Sequence, residues 1–250
     1  MPDGLATALM VPGLVWVVLV TFVAGVVYGF AGFGAALIFM PVAVVFLEPP
    51  LAVAAFSVSA VISLFTVVPR AWRECDRPAT VQLIIAASVT ASIGLYGLAN
   101  FDVTLVRWLV LGVTTVTLLA LIAGWRRQTD ATTPARLGIG AATGLVGGLT
   151  GLMGPIVVLF QLSSADGAGR SRANTIVFLT VTSILLLPLM ALQGVLTGAA
   201  IWLGMILLPA YGLGTVLGQK LFTPGSERVY RTVAYGIIAA AIALGLPIWE

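Results

Sequence analysis

Gly29, Gly32 and Gly34 in "YGFAGFGAALIFMP" (28 to 41), and Gly148, Gly151 and Gly154 in "GGLTGLMGP" (147 to 155), are where this chain's backbone could do chemistry. A glycine inside an apolar helix costs about 1 kcal/mol against alanine. In return it lets the backbone turn tightly and present N–H groups, and a helix that starts just after such a turn offers an anion its positive dipole end. Helices beginning near Gly34 and near Met153 would do this twice, with Phe33, Leu152 and Met153 placed as apolar gates. The side chains that could assist are hydroxyls and amides. Ser59, Ser63 and Thr66 recur at helical spacing, Thr175 and Thr182 repeat the stripe later, and Gln161 is the amide best placed to face a ligand, since Asn174 and Gln193 lie near segment ends. Hydroxyls in apolar helices also bond back to their own backbone, so packing is the competing role for each.

Acid–base and metal chemistry lack residues. Histidine is absent, Cys75 is the one cysteine, no apolar segment carries paired carboxylates, and neither HExxH nor CxxC occurs. An enzyme, a bound metal and a cofactor are therefore not expected.

The elements that must hold the glycine turns are membrane helices. Of 250 residues 60% are hydrophobic and 8% charged, with mean hydropathy +1.13, which leaves no room for a soluble domain. Net charge +3 comes from Lys and Arg grouped between apolar runs, a pattern that orients a chain in a bilayer and does not suit nucleic acid. Ten apolar segments follow one another: 14–30, 34–47, 51–69, 79–98, 104–124, 137–150, 153–162, 173–193, 199–219 and 229–247. The second, sixth and seventh are too short to span a bilayer, and all three border glycine clusters. The first residues carry no Lys or Arg before the apolar run, so they are read as retained and not as a secretory leader.

A shift of 119 residues lays "GVVYGFAG" (25 to 32) on "GLVGGLTG" (144 to 151), and also Ala54 on Ala173 and Pro69 on Pro188. With a small gap "RWLVLG" (107 to 112) meets "RTVAYG" (231 to 236). The expected fold is thus all-α: two repeats of about five segments, 14–125 and 137–250, joined by a polar cytoplasmic linker at 126–136. Basic loops at Arg70 to Arg77, Arg126 to Arg136, Arg170 to Arg172 and Lys220 to Arg231 read as cytoplasmic; the connections near Glu48, Asp102 and Gly194 read as external. Each repeat then opens with a broken or re-entrant pair whose Gly-rich turn lies near the membrane centre, the halves are inverted, and both termini lie outside a plasma membrane. Gly25 and Gly144 are expected to pack helices, and the later glycines to bind.

The runs "GFAGFGAALIFMPVAVVFLEPPLAVAAFSVSAV" and "GLVGGLTGLMGPIVVLFQL" resemble the sulfite exporter TauE/SafE family, over nearly the whole chain. The chain carries "GFGAAL" where a longer glycine run is common. The resemblance implies transport, often export, of small sulfur-containing or carboxylate anions such as sulfite and organosulfonates. The expected partners are that anion and the lipid bilayer, with a homodimer left open. A passive anion channel and an importer of a related anion are the competing functions.

Overall fold

A computed structural model describes residues 2–124, 132–163, 167–221 and 227–246, all in helices and their connections, with no strand among them. In chain order the helices are α1 (Pro2–Leu9), α2 (Leu14–Ala31), α3 (Ala35–Phe46), α4 (Pro49–Ala60), α5 (Ser63–Thr66), α6 (Val68–Glu74), α7 (Arg77–Asn100), α8 (Val103–Ile122), α9 (Thr133–Thr150), α10 (Pro155–Ser163), α11 (Ala168–Leu192), α12 (Gly198–Leu221) and α13 (Glu227–Gly245). Six stretches are long and apolar enough to cross a membrane: Leu14–Ala31, Pro49–Thr66, Arg77–Asn100, Val103–Ile122, Gly169–Leu192 and Gly198–Leu221.

Most of the apolar segments coincide with these helices, with three differences. An extra helix, α1, precedes the first segment. The segment at 51–69 is interrupted: α4 stops at Ala60, α5 begins at Ser63, and α6 begins at Val68 with Pro69 in its first turn. Proline lacks an N–H and suits a helix start, which accounts for the second interruption. Arg170 and Arg172 belong to α11 and not to a loop. Most of the linker expected at 126–136 lies outside the described residues.

Helix starts and stops follow local chemistry. Asp76 caps α7 by accepting the Ala79 N–H, and Asp102 caps α8 by accepting from Thr104 and Leu105. α2 and α9 both end on a left-handed glycine: Gly32 (φ 81) donates its N–H to Tyr28 O, and Gly151 (φ 74) to Gly147 O, each at 2.8 Å.

The two hairpins that follow from those stops, α2–α3 and α9–α10, are held by the far half of the chain. α2 packs along α12, and α9 along α7. Glycine makes the approach close enough for backbone contact: a Cβ on Gly25 would meet Tyr211 O and one on Gly29 would meet Thr215 O, while Gly144 and Gly148 face Ala87 O and Ala91 O in the same four-residue step. α3 packs on α13, and α10 on α8, completing the exchange.

These contacts also give directions. α12 runs alongside α4, since Gly204 faces Val58, Gly212 faces Ile62, and Gln219 donates to Thr66 O. α11 runs antiparallel to α2, since Gly32 faces Arg172 while Tyr28 reaches Ile176 O and Thr180, and α7 runs with α11, since the Asp76 N–H meets Asn174 and Ser92 O accepts from Gln193. α2 advances with α12 and α9 with α7, so the two hairpins enter the bundle from opposite ends. By rise per residue α3 extends about 18 Å and α10 about 14 Å, near half of a roughly 30 Å hydrocarbon core.

Candidate functional site

The two hairpin tips meet at one cavity. It is lined by Gly34, Ala35, Ala36 and Leu37 at the start of α3, by Gly151, Met153 and Gly154 ahead of α10, and by Ser63, Thr180, Ser183, Tyr28, Tyr211, Phe56, Ala60 and Leu179. Its volume of about 40 Å³ suits about three waters, or one anion of a few non-hydrogen atoms, at about 10–15 Å³ per water.

Its polar character comes from backbone and hydroxyls. The helical ladder of α3 starts with Ile38 N–H donating to Gly34 O, which leaves the N–H groups of Ala35, Ala36 and Leu37 beyond it. In α10 it starts with Val158 N–H donating to Gly154 O, leaving those of Ile156 and Val157. Both helix starts bring positive dipole ends to the cavity, and among the described residues no carboxylate lines it. Tyr28 Oη donates to Ile176 O at 3.1 Å and lies 2.9 Å from Thr180 Oγ1, and its ring stacks on Tyr211. Ser63, 1% exposed and at the break between α4 and α5, sets its Oγ beside Tyr211 without closing a hydrogen bond of full geometry. A buried hydroxyl left so is an available ligand donor, since an unsatisfied one costs about 1–3 kcal/mol.

Of the residues singled out in the sequence, the cavity gathers Gly34, Ser63, Gly151, Met153 and Gly154. The others lie elsewhere. Gly29 and Gly148 serve helix packing together with Gly25 and Gly144. Gly32 makes the α2 stop against the Arg172 side chain, and Phe33 packs among Leu83, Ile84, Val157 and Phe178. Ser59, Thr175 and Thr182 donate back to Phe56 O, Ser171 O and Phe178 O. Gln161 Oε1 accepts a long 3.5 Å bond from Asn174, whose Oδ1 takes the Asp76 N–H at 2.7 Å, so that chain ties α10, α11 and the start of α7. Tyr28, Tyr211, Thr180 and Ser183 line the cavity without having been singled out. The one sequence signal for the tyrosines was a phenol inside an otherwise apolar span. Among the described residues no group of three or more His, Cys, Asp or Glu could hold a metal ion.

The family model "Sulfite exporter TauE/SafE" matches residues 17–245. The chain belongs to the sulfite exporter TauE/SafE family. The match runs through both glycine turns and every helix from α2 to α13, so the TauE/SafE pattern and the cavity coincide in one unit. With its six span-length helices, the chain is a multi-pass membrane protein of a transporter family. Neither the curated proteins nor the solved structures contain a match.

Proposed function

We propose that this TauE/SafE protein is a secondary carrier that exports small anions, of the class of sulfite, organosulfonates and related sulfur-containing or carboxylate anions. The observation that carries the reading is the convergence of two helix starts and the Ser63 hydroxyl on one cavity that no carboxylate of the described residues lines. Neutral donors of this kind hold an anion without a counter-charge and so release it readily. The reciprocal packing of α2 on α12 and α9 on α7 supports two inverted repeats rocking about that cavity. The basic connections favour a plasma-membrane orientation with both termini outside. None of the six span-length helices carries Asp or Glu, so no protein carboxylate there can relay protons, and a membrane potential of about 2.3 kcal/mol per charge per 100 mV suffices to drive the anion outward.

The test is flux of sulfite, thiosulfate, methanesulfonate and acetate in proteoliposomes. Saturable flux with counterflow, faster efflux when the interior is made negative, and loss in Gly154→Leu are expected. Gly154 suits this test because a Cβ there meets only Val158 at 3.9 Å, so the larger side chain fills the cavity at little cost to the turn. Non-saturating flux would make the protein a channel; accumulation against the potential would make it a coupled importer. Absence of flux for all four anions would overturn the reading.

A further inference from the structure

The cavity between the hairpin tips takes donors from two helix starts, and a further side of it is aromatic. Tyr211 of α12 stacks on Tyr28, their ring centroids 6.1 Å apart, and meets Phe56 edge-on at 5.6 Å; Phe56 in turn stacks on Phe39 at 4.7 Å. Rings braced in this way hold a phenol in one orientation, with its hydroxyl as the polar end. The hydroxyls lining the cavity differ in what already engages them. Tyr28 and Thr180 pair with each other and Tyr28 also reaches Ile176 O, while Ser183 is the least enclosed of the set. Ser63 and Tyr211 are 1% and 2% exposed, and the Ser63 Oγ set beside Tyr211 closes no hydrogen bond of full geometry. The 119-residue shift gives the aromatic side no twin, since Tyr28 falls on Gly147 and Phe56 on Thr175, so this side is not a by-product of the repeated scaffold.

Three donor groups thus converge on one space: the N–H groups that open α3, those that open α10, and the Ser63 and Tyr211 hydroxyls. An anion whose three oxygens form a pyramid about sulfur can give each group an acceptor. A carboxylate has two oxygens, in one plane with its carbon, and leaves one group unserved. A buried donor without an acceptor weakens binding on the order of tenfold. We propose that Tyr211 is a specificity-determining residue, whose hydroxyl, together with that of Ser63, favours three-oxygen sulfur oxyanions over carboxylates. The proposal rests on the anion-carrier reading and narrows its ligand class.

Methanesulfonate and acetate make a matched pair for the test, each a monoanion with one methyl group, the first with three oxygens and the second with two. Each is titrated by calorimetry into the purified full chain in detergent at neutral pH. Wild type is expected to bind methanesulfonate about tenfold more tightly than acetate. Tyr211→Phe keeps the ring stack and removes the hydroxyl. It should weaken methanesulfonate about tenfold, leave acetate nearly unchanged and bring the two affinities level, with melting close to that of wild type. A packing role would instead lower melting or weaken both anions alike. Equal loss for both anions, or loss for neither, overturns the proposal and leaves the carrier reading standing, as does a wild type that binds acetate as tightly as methanesulfonate. Should Tyr211→Phe fail to fold, the same ratio measured in Ser63→Ala decides. A wild type that binds neither anion overturns the proposal, and flux of sulfite and thiosulfate then decides the carrier reading by itself.

Discussion

At the residue scale, glycine does two separable jobs that substitution tells apart. Gly151 and Gly194 both hold positive φ, at 74 and 73, but a Cβ on Gly151 meets Val53 at 2.8 Å, whereas one on Gly194 meets nothing within 4 Å. Gly194→Ala should cost only the left-handed backbone penalty of about 1–2 kcal/mol, Gly151→Leu clearly more, and Gly112→Leu, in open space at ordinary φ, little; melting in detergent measures all three. Ser63→Ala should behave in the opposite sense to most core hydroxyl deletions. With no full hydrogen bond to lose, it should leave stability unchanged or slightly raised while weakening anion affinity, a split that thermal melting and flux KM measured together reveal. The glycine turns were legible because glycine spacing is itself the signal. Thr180 and Ser183 were not, because a hydroxyl in an apolar span reads the same whether it faces lipid, its own backbone or a cavity, and only the neighbouring helices decide.

At the element scale, the helix pairs are joined at backbone distance by glycine against carbonyl. An alanine at Gly144 or at Gly218 would press its Cβ on Ala87 O or Val26 O, so each should lower stability by about 1–3 kcal/mol. Gly29→Ala combined with Gly218→Ala should be less than additive, since both push apart the same α2–α12 contact; melting of the single and double variants gives the coupling. The repeat in sequence announced that two hairpins exist, but not which helix each lies against. The glycines of α12 at Gly214 and Gly218 match those of α2 in spacing, and equally match packing within one half. The break at Val61 and Ile62 carries no glycine or proline at all, which is why one continuous helix was the natural reading of 51–69.

At the scale of the whole molecule, orientation is the property that loop charge alone supplies, and Cys75 reports it. It sits between α6 and α7 beside Arg73 and Arg77, half-buried, with Sγ donating to Trp72 O at 3.5 Å. An impermeant maleimide added to intact cells should fail to label it, and inverted vesicles should allow labelling. Burial pushes this thiol above its ordinary range, against the pull of Arg77, so the reactive thiolate is scarce at neutral pH and labelling should quicken as pH rises toward and past that raised value. The reciprocal packing of the hairpins reaches further, into biosynthesis. Residue 25 must wait for residue 214 to emerge before α2 meets α12, about 10–40 s at about 5–20 residues per second. Until then the first half is held in the membrane by an unfinished set of contacts, with its glycine-lined face turned to lipid or to the insertion machinery. A chain truncated after α8 should accordingly be degraded quickly, and a separately encoded second half should rescue it; pulse-chase lifetimes of the fragments alone and together measure this. A half that proved long-lived by itself would mean that maturation does not depend on the late arrival of α12.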